Sequence, residues 1–327
     1  MNSLHRREFI TTVLAGLALG KTLSSCKERN YAEIPMRPLG KTGELVTMIG
    51  LGGWDIAANK SKFKAKRLLD EALDEGLSFW DNCWEYHRGK SEELMGSVLK
   101  NKSKRDKVFL MTKVCGRTYQ DAKNQLEESL GRLKTDMLDL WQFHGVKWED
   151  DPALIFANNG ALKAALEAKE QGKIRYIGFT GHQNPVIHNE MLKMDFEWDT
   201  VQMPLNILDA HFRSFQHNVL PKCNKRNIAV LGMKSLAAQD GRIVSELGVS
   251  ANLARRYSLS LPISSLICGI QTREELMHDL KLARNWQPLN KEEIDQLLRI
   301  SELPAKDGKI EAYKTGNYGC DFHHDKK

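Results

Sequence analysis

Long apolar runs and paired cysteine motifs are missing from this sequence of 327 residues, and linker-like segments are missing beyond residue 35. The apolar stretch nearest its start, residues 9–20, is twelve residues long and too short to cross a bilayer as a helix. The six cysteines form no CxxC motif and show no paired metal-ligand spacing, so the sequence indicates no metal site. Beyond residue 35, no stretch rich in Pro, Gly or Ser divides the chain. These absences exclude a multi-span membrane protein and favour one large domain.

The charge balance gives little support for nucleic-acid binding. Basic residues exceed acidic ones by six, and Arg6, Arg7 and Lys21 near the start account for part of this excess. Elsewhere basic and acidic residues are interleaved, as in KFKAKRLLDEALDE, which is typical of solvated helix faces. We therefore expect no nucleic-acid partner.

The first 26 residues resemble a bacterial export signal. RREFI, residues 6–10, resembles the twin-arginine motif, and LSSC, residues 23–26, resembles a lipobox whose Cys26 is lipidated. We predict a twin-arginine signal peptide with a lipobox over residues 1–26 and a linker over 27–35. The protein is then exported and anchored to the membrane through Cys26, as a periplasmic or cell-envelope lipoprotein. A frayed first helix is the alternative interpretation.

Short apolar runs alternate with amphipathic segments from about residue 47 onward. The runs are VTMIGLG, LSFW, VFLMT, MLDLWQF, IRYIGF, TVQM, IAVLGM and SSLICG. Apolar residues recur at helical spacing between them, and Thr272 and Glu275 form a capping-box pattern. Eight strand–helix units predict an α/β fold closed into a (β/α)8 TIM barrel with a C-terminal extension. We assign the barrel to residues 36–302 and a C-terminal tail to 303–327.

A doubly wound dinucleotide-binding fold is the alternative architecture. Its phosphate loop would be the segment GLGG, residues 50–53. Position 55 is Asp where that loop needs a third glycine, and the following helix begins several residues too late to cap a pyrophosphate. The barrel is therefore the better prediction.

Four polar residues follow strands of the predicted barrel. Asp81 ends the second run, Lys113 follows the third, His144 ends the fourth, and Tyr86 lies in the loop after Asp81. About one strand–helix unit separates Asp81 from Lys113 and Lys113 from His144. Consecutive strands therefore present these side chains around the C-terminal mouth of the barrel, where barrel enzymes hold their active sites.

These four residues suit acid–base catalysis. A phenol has an ordinary pKa of about 10, and a neighbouring ammonium group favours its anion. We predict that Lys113 tunes Tyr86 as a proton donor or acceptor, that Asp81 keeps Lys113 charged and oriented, and that His144 hydrogen-bonds a substrate carbonyl. An ordinary ion pair at the barrel rim, with Tyr86 and His144 as neighbours, is the alternative.

The motifs D-x4-Y-x4-SEE, LDLWQFH, GFTGH and CGIQTREELMHDL, preceded by MRPLGKTGELVTMIGLGGW, resemble the aldo-keto reductase family over most of residues 36–285. The resemblance implies a short N-terminal β-hairpin before the barrel. It also implies an oxidoreductase that interconverts a carbonyl (aldehyde, ketone or sugar) and an alcohol with NADPH or, less often, NADH. Tyr86 is then the proton donor.

The resemblance also implies a cofactor lying across the barrel mouth. Thr180 and Gln202 match positions that grip its carboxamide, and Met233 stands where an aromatic residue often stacks on the nicotinamide. His182 follows Gly181 at a point where the family usually has an Asn, so a core or loop role for His182 is the alternative. The candidate cofactor-binding residues are Gly53, Trp54, Thr180, Gly181, His182, Gln202, Met233, Lys234, Leu236, Gly269, Gln271, Thr272, Arg273 and Asp279.

The phosphate-binding end of this predicted site departs from the family. Lys234 and the backbone amides of residues 269–272 are candidates for phosphate oxygens. Glu275 stands where the family has an arginine, which leaves Arg273 as the substitute partner for a 2′-phosphate. We expect NADP(H), with NAD(H) as the alternative.

Other functions remain as alternatives. A nucleotide-binding subunit with a redox-sensing or scaffold role and little turnover would also retain the barrel, whereas a barrel hydrolase lacks a clear pair of opposed carboxylates. For the enzyme, we expect a monomer acting on a small-molecule carbonyl or alcohol, with Trp54, Trp84 and Trp148 as aromatic walls.

Two groups of cysteine and histidine residues stand outside this scheme. Cys83 and Cys115 each follow a proposed catalytic residue by two positions, as inert thiols or as a redox pair. The segment GCDFHHDKK contains Cys320, His323 and His324, which we expect to be solvated rather than bound to a metal.

Overall fold

The computed structural model describes residues 33–59, 61–238 and 241–316. The predicted signal peptide and lipobox, most of the predicted linker and the segment GCDFHHDKK lie outside these residues. None of the helices in the described ranges is both long and apolar enough to cross a membrane.

The strands of the described ranges form a hairpin followed by a closed barrel. The hairpin consists of β1 (Met36–Pro38) and β2 (Leu45–Thr47), which pair antiparallel. The barrel strands are β3 (Ile49–Gly52), β4 (Phe79–Asp81), β5 (Phe109–Val114), β6 (Leu138–Phe143), β7 (Ile174–Thr180), β8 (Thr200–Pro204), β9 (Ala229–Met233) and β10 (Ser265–Gly269). Each barrel strand pairs in parallel with the next, and β10 pairs with β3. This order confirms the predicted (β/α)8 barrel and hairpin, and the doubly wound alternative is wrong.

Helices alternate with the strands, as predicted. They are α1 (Gly53–Ala57), α2 (Lys62–Asp74), a 3₁₀ turn (Tyr86–Gly89), α3 (Lys90–Leu99), α4 (Lys102–Arg105), α5 (Tyr119–Leu133), α6 (Asp151–Phe156), α7 (Ala161–Glu170), α8 (Pro185–Lys193), α9 (Phe215–Asn218), α10 (Leu220–Lys225), α11 (Arg242–Leu247), α12 (Ala251–Ser260), α13 (Arg273–Arg284), α14 (Lys291–Ala305) and α15 (Ala312–Thr315).

The helices form where the sequence supplies caps and an apolar face. In α2, the N-cap Ser61 accepts a hydrogen bond from the amide of Lys64, and the predicted apolar face is buried. In α13, Thr272 and Glu275 form the predicted capping box. In both helices the capping hydrogen bonds lie where the sequence predicts a helix to begin.

Between β8 and β9 the chain forms two short helices, α9 and α10, rather than one continuous helix. They meet at Val219, whose backbone has φ −120° and ψ −52°. Pro221 explains the break, because it has no N–H to continue α9 and suits the first turn of a new helix. The difference follows from local chemistry rather than from packing.

The barrel interior is apolar at the end that the hairpin covers. Leu39 and Val46 of the hairpin region cluster with Phe79, Met111 and Leu140 from the barrel strands. Because this cluster fills the N-terminal end, the polar side chains that follow the strands are left at the opposite end.

The chain stays packed beyond residue 303, where the sequence suggests a tail. Leu297 and Ala305 of α14 and Ile310 after it are buried in one cluster with Ile207 and Leu208, which follow β8. This cluster brings the residues after α14 to the C-terminal mouth of the barrel.

Candidate active site

The four predicted catalytic residues line one cavity of about 900 Å³ at the C-terminal ends of the strands. Asp81 is the last residue of β4, Lys113 lies near the end of β5, and His144 directly follows β6. Tyr86 begins the 3₁₀ turn after β4. The structure therefore brings together the residues that the strand spacing predicts to share one mouth.

Lys113 is at the centre of this group and is almost fully buried. Its Nζ pairs with the Asp81 carboxylate, donates to the carbonyl oxygen of Asn82 at 2.7 Å, and lies 3.4 Å from the Tyr86 hydroxyl. A buried ammonium group is stable when it is paired and hydrogen-bonded. Lys113 therefore has the partners that a buried ammonium group requires.

The pKa of the Tyr86 phenol is raised well above its usual range. Burial is the main cause, and the negative charge of Asp81 adds to it. The sequence predicts the opposite direction, from Lys113 alone, because it cannot show how deeply the phenol is buried. In this environment Tyr86 is a neutral phenol, which is the form that can donate a proton.

The backbone after Tyr86 is held in an uncommon conformation. His87 and Arg88 have φ values of 51° and 58°, and Gly89 has 83°. Left-handed backbone is unfavourable for residues other than glycine and persists only where contacts hold it. His87 Nε2 donates to the carbonyl oxygen of Trp54 at 2.8 Å, and the Trp54 ring contacts Tyr86 edge to face. These contacts fix the loop that carries the phenol.

His144 has a set of neighbours that the sequence analysis missed. Its Nδ1 lies 3.0 Å from the Glu85 carboxylate and 3.3 Å from the Cys83 thiol. Arg117 donates to the carbonyl oxygen of His144 at 2.7 Å and pairs with the buried Asp151. Glu85 directly precedes Tyr86, but only the fold shows that its carboxylate reaches β6.

Most of the predicted cofactor-binding residues also line the cavity. They are Gly53, Trp54, Thr180, His182, Gln202, Met233, Lys234, Leu236, Gly269 and Gln271. Gly181, Thr272, Arg273 and Asp279 are not among its lining residues. Gly181 is instead required by packing, since a Cβ there would lie 2.4 Å from the carbonyl oxygen of Val146. Of the three predicted aromatic walls, Trp54 lines the cavity and Trp84 and Trp148 do not.

Gln202 and His182 line this cavity, and each has one buried polar atom without a hydrogen-bond partner among the described residues. The amide nitrogen of Gln202 donates to Asp81 at 3.2 Å, whereas its Oε1 has no hydrogen-bond partner among the described residues. The Nδ1 atom of His182 is likewise without a partner within that part of the chain. Burial lowers the pKa of His182 well below its usual value, so its ring is neutral. Unpaired polar atoms at a cavity wall fit a ligand that carries hydrogen-bonding groups, such as a carboxamide.

At the predicted phosphate end, Glu275 bonds to the amides that were expected to hold phosphate. Its carboxylate accepts from the amides of Gln271 and Thr272 at 2.7 and 3.0 Å. Arg273, the predicted partner of a 2′-phosphate, pairs with Glu71 and does not line the cavity. The carboxylate of Glu275 therefore already occupies the amides at the start of α13.

Two further charged residues at this end, Arg255 and Asp55, could not be identified from the sequence. Arg255 lines the cavity and pairs with the buried carboxylate of Asp279. Asp55 also lines the cavity, and burial raises the pKa of its carboxyl group against the opposing charge of Lys234. Burial in turn lowers the pKa of Lys234. Asp55 and Arg255 lie 200 residues apart in sequence, so no local motif reports their proximity.

The segment after α14 completes the wall of the cavity. Ile310, Ala312 and Tyr313 line it. Lys314 Nζ, which is fully buried, lies 2.6 Å from Asp209 and 2.9 Å from Glu311, and both carboxylates are buried. This network, which we call the C-terminal anchor (Asp209, Glu311, Lys314), fixes Tyr313 at the mouth.

Comparisons with known proteins agree with this fold. A sequence model described as "Aldo/keto reductase family" matches residues 48–247. The uncharacterized oxidoreductase YqkF of Bacillus subtilis is 28% identical over 262 residues, which cover 75% of this chain and 79% of YqkF. The aldo-keto reductase YhdN of the same species is 30% identical over 216 residues, 61% of each chain.

Solved structures show the same architecture. The holo form of the aldo-keto reductase AKR11C1 from Bacillus halodurans superposes with a TM-score of 0.67 at 22% identity, over 82% of this chain and 96% of that one. At this level of identity the likeness supports the barrel fold.

Proposed function

Because this chain belongs to the aldo/keto reductase family, we propose that it is an oxidoreductase that uses NAD(P)(H) to interconvert a carbonyl and an alcohol, with Tyr86 as the proton donor. The observation that carries the proposal is the arrangement of Tyr86, Lys113, Asp81 and His144 around one cavity. These residues supply a neutral phenol, a buried ammonium group that faces it, and an imidazole beside both.

Tyr86 donates its proton to the substrate oxygen in the direction of reduction. As the phenol loses its proton, the charge of Lys113 at 3.4 Å stabilises the phenolate. Asp81 holds Lys113 in place, and His144 hydrogen-bonds the substrate oxygen and orients the carbonyl. In the direction of oxidation, Tyr86 takes the proton back.

The residues present fit a nicotinamide dinucleotide. When bound, this cofactor supplies or accepts the hydride. Gln202, whose Oε1 is without a partner among the described residues, lines this wall with Thr180 and Met233, and these residues would hold the carboxamide. The cofactor would lie across the mouth, between these residues and Lys234.

Charges at the phosphate end favour the nucleotide without a 2′-phosphate. Glu275 places a carboxylate at the start of α13, Arg255 is neutralised by Asp279, and Arg273 lies outside the cavity. A dianionic phosphate near these groups is repelled by Glu275 without gaining an unpaired cation. NAD(H) is therefore our preferred cofactor, in place of the NADP(H) that the sequence favours.

We expect the purified protein to bind NADH at least as tightly as NADPH. Replacing Glu275 by Gln removes the charge but keeps an oxygen that can accept from the amides. The variant should bind NADPH about fivefold more tightly, as expected for about 1 kcal/mol of repulsion at an exposed site. Nucleotide affinities can be measured by fluorescence titration at low and high salt, because screening should reduce the difference.

The neighbouring Glu274, which is exposed and does not line the cavity, supplies the control. Glu274→Gln should change the affinity for neither nucleotide by more than about twofold, since its charge is more distant and solvated. NADPH binding that is tenfold tighter than NADH binding in the unmodified protein would contradict this assignment.

We further propose that the protein is exported by the twin-arginine route and anchored through Cys26, on the strength of RREFI and LSSC in the sequence. Cys26→Ser should move the protein from the membrane fraction to the soluble fraction, because the lipid attachment site is lost. Immunoblots of fractionated cells measure this, and Cys223→Ser is the control. Membrane retention of the Cys26 variant would refute the lipoprotein proposal.

A further inference from the structure

Four side chains with metal-binding atoms converge beneath the wall of the cavity. Cys83 follows β4, Cys115 follows β5, His144 follows β6, and Glu85 precedes the catalytic phenol. One ligand atom from each of them lies within 4.8 Å of the others. No local sequence motif reports the cluster, because its members come from three successive strand ends.

The distances within this cluster match those of a tetrahedral metal centre. Nδ1 of His144 lies 3.3 Å from Cys83 Sγ, 3.7 Å from Cys115 Sγ and 3.0 Å from the Glu85 carboxylate. Bonds of about 2.3 Å to sulfur and about 2.0–2.1 Å to nitrogen separate tetrahedral ligands by about 3.5 Å. Small side-chain adjustments therefore suffice to place all four atoms around one ion.

The chemistry of the ligands selects the class of metal. Two thiols, an imidazole and a carboxylate form a set of the kind that binds Zn²⁺. Cys83, Cys115 and His144 are buried, and Glu85 is partly exposed. Since four protein groups complete the coordination, the ion has no position left for substrate, as in closed structural sites.

The cluster lies beside the catalytic cavity, and two of its four residues belong to the cavity wall. Glu85 and His144 line the cavity, whereas Cys83 and Cys115 do not. An ion bound to Nδ1 of His144 lies on the protein side of the ring. The proton of the neutral imidazole is then confined to Nε2, and the ring orientation is fixed.

The redox state of Cys115 controls whether the site can form. Cys115 is disulfide-bonded, and Cys83, Cys223 and Cys268 are free thiols. A thiol or phosphine reductant supplies the two electrons that cleave this disulfide, and two protons complete the two thiols. Metal binding then displaces the thiol protons of Cys83 and Cys115, because the thiolate is the ligand form.

We propose that, once the Cys115 disulfide is reduced, Cys83, Cys115, His144 and Glu85 bind one divalent metal ion of the Zn²⁺ class that orients His144. Oxidation of Cys115 abolishes the site. The proposal is independent of the substrate and the nucleotide.

The test is a Co²⁺ titration of the full-length protein under anaerobic conditions, with and without a phosphine reductant. Reduced protein should bind one equivalent of Co²⁺ with a thiolate-to-cobalt charge-transfer band and the visible bands of a tetrahedral centre. Zn²⁺ should displace the Co²⁺. The untreated protein should show neither band, because Cys115 remains in its disulfide.

Two variants locate the ion. Cys83→Ser should weaken Zn²⁺ binding at least about a hundredfold, since even residues that support a ligand cost up to that much. Cys223→Ser removes another buried free thiol, on α10, and should leave binding unchanged. Full-strength binding by the Cys83 variant, or loss of binding in the Cys223 variant, would overturn the proposal.

X-ray absorption of the unmodified protein loaded with Zn²⁺ gives an answer that depends on no variant. Two sulfur and two lighter ligands are expected around the metal. A shell of nitrogen and oxygen alone, or reduced protein that shows no charge-transfer band with Co²⁺, would also overturn the proposal. None of these measurements uses enzymatic activity, so their outcome does not depend on the proposed function.

Discussion

Tyr86→Phe is expected to lower kcat for the reduction of an aromatic aldehyde, such as a nitrobenzaldehyde, by at least about a hundredfold. The substitution removes the proton donor and keeps the ring that packs against Trp54 and His144. A positioned general acid contributes about 10²–10⁴ in rate. The affinity for nucleotide should stay the same, because Tyr86 donates no hydrogen bond that holds the predicted cofactor-binding residues. The oxidation of reduced nicotinamide measures kcat, and a fluorescence titration measures affinity.

A second tyrosine at the opposite end of the barrel provides the control. Tyr176 of β7 contacts Glu44 and the carbonyl oxygen of Thr42, beside the hairpin. Tyr176→Phe should therefore leave kcat unchanged. A Tyr86 variant with near-normal kcat would contradict the assignment of the donor. If the unmodified protein bound nucleotide but reduced no carbonyl, the alternative of a scaffold or redox-sensing subunit would be favoured.

Lys314→Met should lower the free energy of unfolding by about 3–5 kcal/mol, the usual result of removing one partner from a buried ion pair. The substitution leaves Asp209 and Glu311 buried without their cation. Burial already raises the pKa of Asp209 to about 6 from its ordinary 3.8, although Lys314 opposes this shift. Chemical denaturation followed by circular dichroism measures the change.

The loss should depend on pH in a direction set by Asp209. Its pKa is higher in the folded than in the unfolded state, so its protonation stabilises the fold below about pH 4. That contribution disappears as the pH rises through about 6. The Lys314 variant should therefore lose most stability at neutral pH and less in acid.

Two other variants test whether charge burial is the cause. Lys309 is exposed and pairs with Asp307 at the surface, so Lys309→Met should leave the free energy of unfolding nearly unchanged. Adding Asp209→Asn and Glu311→Gln to Lys314→Met should recover part of the loss, because the buried charges are then gone. A loss in the triple variant as large as in Lys314→Met would point to packing instead.

Much of the fold and the catalytic group could be predicted from the sequence. The spacing of apolar residues reveals strands and helices within short segments of the sequence. Eight alternating strand–helix units then favour a closed barrel over other folds. Because parallel strands end at the same side of a barrel, the spacing of Asp81, Lys113 and His144 also predicts their proximity. Tyr86 could be added because it lies a short loop away from Asp81.

Contacts between distant segments could not be predicted. Asp55 and Arg255 line the same cavity although 200 residues separate them in the sequence. The pKa of Tyr86 depends on burial by the whole mouth, whose wall includes Tyr313 from the far end of the sequence. Such features require the fold before they can be recognised.

The C-terminal anchor has a consequence for the order in which the protein is made. Asp209 is synthesised about a hundred residues before Lys314, and every barrel strand precedes the lysine. Because chains fold progressively during synthesis, the nascent barrel carries a carboxylate that cannot be buried at low cost until its cation arrives. The cavity wall therefore closes last, and a chain that stops short of Lys314 leaves Asp209 without the cation that its burial requires.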